Sequence, residues 1–562
     1  MKLLDARRLT GPNLLFDDPG TILDVACDDA DAARLAPVWE RHARRVVAGL
    51  GWADEREYRS LSMRGGVSLG FTAPIDSLYT AVAANEWAFA ASLGELMDSD
   101  APDFDSTLAE LSRSLADEAN PALIGLEAAA AERGVTLLWD DDEVSLGMGH
   151  RSRTFPAHGL PGPATLDWDA FADVPVAIVT GTNGKTTTVR LAAHIARGEW
   201  RGVGLCSTDY IAVDDRIVDR DDWAGPGGAR VVLRDHAVDC AILETARGGL
   251  LRRGLGVSKA RVALITNIAR DHLGDFGSRD LEELLRCKWI VSRAVRESGT
   301  LVLNADDARL AGRAAGYTGR LVWFSLDADN ETLRAHTRAG GTAFALDDDT
   351  LLHLDGPERT PICREAEVPI TLGGAARHNV ANALAAAALA WSLGVGTDTI
   401  RAGLTTMTVT ENPGRGNVYD IGGVTVLVDF AHNPRALRAL FDTASRLPAT
   451  RKALCFGQAG DRPDDLIREL ARSAWESGLD HVCVSELAKY RRGREAGEVY
   501  AVISDELLTS GARPDQIEYH QREIDSFEAA LAWARPGDLI LMLALERAPE
   551  LFDRLRNLAK PS

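Results

Sequence analysis

The sequence predicts an α/β protein in three parts: an α+β N-terminal region, a central domain built on a mostly parallel sheet, and a second α/β domain. Three observations predict it. First, short apolar runs alternate with glycine-rich loops and helical segments from residue 174 onward, the pattern of strands buried on both faces. Val174-Pro175-Val176-Ala177-Ile178-Val179 opens the series, and Val231-Val232-Leu233, Cys240-Ala241-Ile242-Leu243, Val262-Ala263-Leu264-Ile265 and Thr300-Leu301-Val302-Leu303 continue it. Second, the rhythm resumes after Asn412-Pro413-Gly414, with strands expected at Val424 to Val428, Lys452 to Phe456, His481 to Val484 and Asp538 to Leu543. Third, the beginning of the chain has another texture. Alanine-rich helical patterns such as Asp76 to Met97 end in Gly/Pro-rich sequence at His158 to Ala164. The expected boundaries are 1–165, 172–411 and 412–562.

A chain of 562 residues exceeds what one core holds. Its 46% hydrophobic and 26% charged residues are ordinary for a globular protein. With 62 Lys+Arg against 83 Asp+Glu the net charge is −21, which argues against a nucleic acid partner, since phosphate binding needs a basic face. The seven cysteines show no CxxC spacing, so neither a zinc site nor a disulfide framework follows from them, and a reducing cytoplasm is the natural setting. Met1 to Gly20 lacks the apolar core of a signal peptide, and no run approaches the ~20 apolar residues of a membrane helix, so no membrane partner is expected.

In open parallel sheets, ligands sit beyond the carboxyl ends of strands, so the segments after the apolar runs carry the chemistry. Thr180-Gly181-Thr182-Asn183-Gly184-Lys185-Thr186-Thr187 follows the first strand and opens a helix. Glycines let backbone N–H groups turn toward phosphate oxygens, and the helix N-terminus adds a favourable dipole. Lys185 is placed to reach the β- and γ-phosphates and the Thr186 hydroxyl to ligate Mg²⁺. The general motif has a glycine where Val179 stands, so this is a shortened phosphate loop. Glu244-Thr245-Ala246-Arg247-Gly248-Gly249, Thr266-Asn267-Ile268-Ala269-Arg270-Asp271-His272-Leu273 and Leu303-Asn304-Ala305-Asp306-Asp307 each follow a further strand.

The shortened G-T-N-G-K-T loop and these segments resemble the Mur ligase superfamily, in register to near residue 545. The resemblance implies a central P-loop ATPase domain, a Rossmann-like C-terminal domain and the use of ATP with two Mg²⁺ sites. Glu244 is similar to the family's metal-binding glutamate, and His272 to a histidine that helps hold the second metal. One metal neutralises the ATP phosphates; the other brings the acceptor carboxylate to the γ-phosphate despite like charge. Lys288 stands close to where many relatives carry a carbamylated lysine that braces the metals; the alternative is an amphipathic surface lysine. Gly374-Ala375-Ala376-Arg377-His378-Asn379 resembles a helix start whose asparagine, Asn379 here, contacts adenine; Asn382 reads as a capping or packing residue. Arg415 resembles an arginine aimed at the phosphates. Val428-Asp429-Phe430-Ala431-His432-Asn433-Pro434 resembles the family's D-Y-A-H-N-P segment, which implies Asp429 on the ribose hydroxyls and His432 facing the nucleotide.

The finer spelling is similar to the cyanophycin synthetase branch. Glu244 to Leu255 carries E-T-A-R-G-G-L-L-R-R-G-L, and Gly460-Asp461-Arg462 and Tyr490 to Glu498 match two further segments. Arg7 to Leu14, Ala130 to Val135 and Ser145 to His150 resemble that branch's N-terminal domain and the entrance to its ATP-grasp module, yet the ATP-grasp module itself is missing between them and the phosphate loop. What the resemblance implies is a single ligase reaction: a carboxylate activated as an acyl phosphate and coupled to an amine. The partners would be an amino acid and a carboxylate-bearing peptide or small acceptor, with room for a homo-oligomer; Arg491, Arg494 and Glu498 read either as lining the amine or acceptor site or as a solvated basic loop. The competing readings are a peptidoglycan- or folate-type ligase and a catalytically silent nucleotide-binding scaffold.

Overall fold

The computed structural model describes residues 1–52, 56–270, 280–295, 299–546 and 548–559. The central apolar runs, with one exception, line up in one sheet. Its order is Arg216–Asp219, Ile211–Val213, Val203–Cys206, Cys240–Glu244, Val176–Thr180, Val262–Ile265, Thr300–Asn304, Arg320–Ser325, Thr342–Asp347, Thr350–Asp355, Glu358–Arg364. From Val203–Cys206 through Thr342–Asp347 all neighbours run parallel, and antiparallel strands close both edges. From Val203–Cys206 through Thr300–Asn304 the inner strands are buried at every position because helices cover both faces. Lys185–Ala196 and Arg377–Leu393 pack on one side, Pro226–Arg234 and Leu281–Trp289 on the other. Truncating a fully buried side chain such as Leu264 to alanine costs about 2–5 kcal/mol.

The exception is Val231-Val232-Leu233, whose apolar run predicts a strand. It lies in the helix Pro226–Arg234, with Val232 and Leu233 buried and Val231 exposed. Three apolar residues carry no period of their own, and Pro226 in the first helical turn after Gly225 sets the helix.

The second α/β sheet runs Arg415–Ile421, Val424–Asp429, Leu539–Leu543, Lys452–Phe456, His481–Ser485, Ile517–His520, parallel after the first hairpin. Near the N-terminus an antiparallel sheet, Lys2–Leu9, Gly20–Ala26, Gly66–Thr72, Tyr58–Met63, is covered by Asp29–Gly49 and Leu78–Met97. A small three-stranded sheet, Leu137–Trp139, Glu143–Leu146, Arg153–Pro156, leads into the central sheet. Among the described residues no helix is long and apolar enough to cross a membrane.

Candidate active site

The phosphate loop joins Val176–Thr180 to Lys185–Ala196. Gly181 (φ +147°) and Gly184 (φ +86°) both take left-handed backbone, and neither has room for a side chain. A Cβ at Gly181 would overlap Thr266 Oγ1, and one at Gly184 would overlap Asn382 Oδ1. The loop is held by the neighbouring strand end. Asn183 N donates to Asn267 Oδ1 (3.1 Å), while Asn267 Nδ2 and Thr266 Oγ1 donate to Asn183 O (3.0 and 2.6 Å). Ala269 N donates to Thr182 Oγ1 (3.0 Å), and Lys185 Nζ folds back to Thr182 O (3.0 Å). The Leu303 to Asp307 segment braces this scaffold in turn: Asn304 Nδ2 donates to Thr266 O (3.0 Å) and Ile268 N to Asp307 Oδ2 (2.7 Å). Thr266-Asn267 therefore shapes the phosphate loop. His272 of the same segment lies outside the described residues.

Beside the loop, Glu244 ends its strand only 1% exposed. Thr186 Oγ1 donates to its Oε2 (2.9 Å) and Thr208 Oγ1 to its Oε1 (2.8 Å). A buried carboxylate between two hydroxyls is a set of hard oxygen donors, the chemistry that Mg²⁺ takes. Thr208 escaped the sequence reading because it sits in a short loop with no motif. Lys288, from helix Leu281–Trp289, is 3% exposed and donates to Gly181 O (2.7 Å), so it is no surface lysine.

The second α/β domain completes the site. Asn433 Nδ2 donates to Asn183 Oδ1 (2.8 Å), tying the phosphate loop to the D-F-A-H-N-P segment, and Asn433 Oδ1 also caps the helix Pro434–Arg446 through Ala436 N (2.9 Å). Asn412 Nδ2 donates to Thr187 Oγ1 (3.2 Å) and Arg190 Nη1 to Asn412 Oδ1 (3.2 Å). Arg415 pairs in register with Asp429, its guanidinium 4.6 Å from the Phe430 ring centroid and 3.6 Å from Asp209. Burial pushes the Asp429 carboxyl up to about 6, with Arg415 pulling it the other way. His432 places Nδ1 3.0 Å from Phe430 O. Asn379 donates to Ile370 O (2.8 Å) and accepts from Asn382 (3.1 Å), while burial holds the neighbouring His378 down to about 4, an uncharged ring.

Replacing Asn433 by aspartate keeps the cap oxygen but removes the donor to Asn183. We expect Tm to hold, since a lost cap would cost about 1 kcal/mol, while turnover falls about fivefold, the worth of one hydrogen bond. Thermal melting read beside turnover checks it.

Lys185, Glu244, Lys288, Asn379, Arg415, Asp429 and His432 line one cavity of about 1170 Å³ running from the phosphate loop to Arg247, Arg252, Asp461 and Arg492. Helix Arg247–Arg253 in its wall is clasped by the N-terminal segment. Arg7 Nε donates to Leu251 O (2.8 Å), Thr10 N to Arg253 O (2.8 Å) and Leu255 N to Pro12 O (2.7 Å). Gly11 faces Leu255 O too closely to carry a Cβ. Of the basic segment, Arg492 lines the cavity and pairs with Asp461, whereas Arg494 clamps Gly460 O (2.8 Å), Arg462 O (2.9 Å) and Asp464 (2.6 Å), and Glu498 accepts from Glu495 N (3.1 Å). Arg494 and Glu498 thus shape their own loops.

The family model for the Mur ligase middle domain matches residues 179–390, and that for the Mur ligase glutamate ligase domain matches residues 414–544. The chain is 35% identical over 430 residues to the cyanophycin synthetase of Trichormus variabilis, covering 74% of this chain and 47% of that protein. It is 29% identical over 446 residues to the UDP-N-acetylmuramoyl-L-alanyl-D-glutamate--2,6-diaminopimelate ligase of Geobacter sulfurreducens, covering 74% and 83%. The chain thus spans about half the length of the cyanophycin synthetases it matches. In fold it is similar to the folylpolyglutamate synthase of Mycobacterium tuberculosis, at a TM-score of 0.50 and 17% identity over 69% of this chain and 92% of that one.

Proposed function

Because the chain belongs to the Mur ligase family, we propose that it is an ATP-dependent ligase that activates a carboxylate as an acyl phosphate and couples it to an amino-acid amine, in the manner of the cyanophycin synthetases it resembles. The observation that carries the reading is the buried Glu244, held by Thr186 and Thr208 beside a glycine loop that no side chain could replace. A silent scaffold has no need to keep a carboxylate there, because a buried charge is costly unless it is used or paired.

The nucleotide triphosphate lies along the loop, with Lys185 and Arg415 countering its charge, Asp429 accepting from the ribose hydroxyls and Asn379 beside the base. A Mg²⁺ ion held by Thr186 and Glu244 would compensate phosphate charge, and His272 together with a carbamylated Lys288 would hold a second. The acceptor carboxylate attacks the γ-phosphate and expels ADP to form the acyl phosphate; the amine then attacks the acyl carbon, loses a proton, and phosphate leaves. The arginines at the far end of the cavity favour an anionic, carboxylate-bearing peptide as acceptor. Contact between the two domains through Asn183 and Asn433 shields the acyl phosphate from water. Hydroxylamine added with Mg-ATP and acceptor, but without amine, should convert the acceptor into a hydroxamate. ADP release without hydroxamate would show simple hydrolysis and sink the acyl-phosphate route.

Two further outcomes follow from the site. Asp429 must be ionised to accept two hydroxyls, and its carboxyl titrates at about 6. KM for ATP should therefore rise as pH falls through about 6 and stay level above it, while Asp429→Asn should bind ATP weakly with no such pH step. The sign for stability is opposite. An acid whose folded value is raised favours the fold when protonated, so its contribution declines between the unfolded value near 4 and 6 and is constant beyond. Lys288 tests the second-metal reading: ¹³C-bicarbonate should give a carbamate carbon resonance that Lys288→Ala lacks. No resonance would make Lys288 an ammonium counter-charge to the loop.

A further inference from the structure

Outside the residues that line the nucleotide cavity, the outer edge of the C-terminal sheet gathers an unusual set of side chains. Lys452–Phe456, His481–Ser485 and Ile517–His520 are neighbouring parallel strands, and Cys455, Cys483 and Glu518 stand opposite one another in register. Residues in register share a face of the sheet, and His481, two before Cys483, shares it too. The donor atoms of His481, Cys483 and Glu518 all lie within 4.8 Å of one another. None of the three lines the cavity.

His481 is buried within this face. Its side chain is 2% exposed, yet neither ring nitrogen makes an aligned hydrogen bond, although Nε2 sits 3.2 Å from Glu518 Oε1. The ring thus meets the other two donor groups of the cluster, a thiol and a carboxylate. Trp533 stacks on the ring at 5.2 Å and 11°, which fixes the direction in which its nitrogens point. The other carboxylate oxygen, Glu518 Oε2, is 3.2 Å from His520 Nε2, an outer contact of the kind that orients a metal-binding carboxylate. Glu518 is exposed, so the cluster has a path to solvent and a place for water as a further ligand. Cys455 lies alongside, its Sγ donating to Ser526 O at 3.4 Å.

We propose that His481, Cys483 and Glu518 form a binding site for a divalent transition-metal ion, zinc by ligand type, that ties the edge strand Ile517–His520 to the body of the C-terminal sheet. One thiolate, one imidazole and one carboxylate are zinc's common donors, whereas Mg²⁺ does not favour sulfur, so this site and the oxygen site at Glu244 select different metals. On binding, the Cys483 S–H bond breaks, the proton goes to solvent and the sulfur–metal bond forms; nothing is oxidised or reduced. The cysteine spacing carries no hint of it, because the ligands come as His-x-Cys on one strand and a glutamate on the next.

The test is a Co²⁺ titration of the purified full chain in excess Mg²⁺. One equivalent should produce sulfur-to-cobalt charge-transfer absorption with the visible bands of four-coordinate cobalt, and Zn²⁺ should displace it. Cys483→Ser should abolish the charge-transfer band, and Cys363→Ser should leave it intact. Glu518→Gln, a change at an exposed edge position that leaves the core untouched, should weaken Zn²⁺ binding by more than the about 10-fold that starts the range for outer contacts. A wild-type protein without the band, a band that survives in Cys483→Ser, or unchanged affinity in Glu518→Gln would each overturn the site.

Discussion

Replacing Lys185 by alanine is expected to lower ATP-dependent turnover about 1,000-fold, the upper range for removing one charge-stabilising donor from a preorganised site. The side chain leaves the first helical residue after Gly184 and rests 3.0 Å from Thr182 O, so it is already stationed over the loop where the phosphates must lie. Its positive charge matters most as negative charge moves toward the leaving ADP, so kcat should fall more than ATP binding. Arginine should not restore the rate, because a planar fork on a longer stem does not replace a compact ammonium point charge. Calorimetric ATP affinity, measured beside kcat, separates the two effects. A variant with kcat near wild type would remove Lys185 from the reaction.

The second large effect is expected at Glu244. Glutamine there should cut turnover about 100- to 1,000-fold while leaving Tm close to wild type. The two readouts diverge for a physical reason. The carboxylate accepts from Thr186 and Thr208, and glutamine keeps one oxygen for one hydroxyl but turns an amide N–H₂ toward the other. The poorer hydrogen bond costs about 1–3 kcal/mol, and removing a fully buried charge gives back a similar amount of desolvation energy. Higher Mg²⁺ should recover part of the lost rate. Turnover indifferent to both the substitution and the Mg²⁺ concentration would place the metal elsewhere.

Much of this site is legible in the sequence because its parts are contiguous. Gly181 to Thr187, Glu244 and Asp429 each follow an apolar run directly, so the rule that ligands bind past strand ends finds them without any structure. The strand Lys452–Phe456 matches its expected bounds, and Leu78–Met97 begins two residues inside the expected helix. The misses have equally local causes. Val231-Val232-Leu233 is too short to show a period, and its helix is set by Pro226 upstream. Thr208 and Asp209 sit in a short turn with no spelling to mark them, yet they hold Glu244 and Arg415. Asn183 and Asn433 meet across 250 residues, and no spacing rule connects them.

The N-terminal region is the clearest gain from structure. Arg7 to Leu14 and Glu244 to Leu255 are separate spellings in the sequence, each similar to the same branch. In the fold they touch: Thr10, Pro12 and Arg7 bond the backbone of Leu251, Arg253 and Leu255, behind the wall that carries Arg247 and Arg252. Arg7 is itself held by a buried pair with Asp24 (2.6 Å), whose other oxygen accepts from Ser68 (2.6 Å). Glycines 11 and 254 make the close approach between the two segments feasible. The region therefore touches the wall of the cavity through one helix, Arg247–Arg253.

The measurement that tests the account most directly is ADP release by the purified chain with Mg-ATP, across amino acids crossed with aspartate- or glutamate-containing peptides. Release is expected only when one amine and one carboxylate acceptor are present together, with a product heavier by their condensation, and about 1,000-fold slower from the Lys185 variant. ADP release in no combination, joined to the absence of ATP binding by calorimetry, would contradict it and leave the fold as a scaffold without the chemistry.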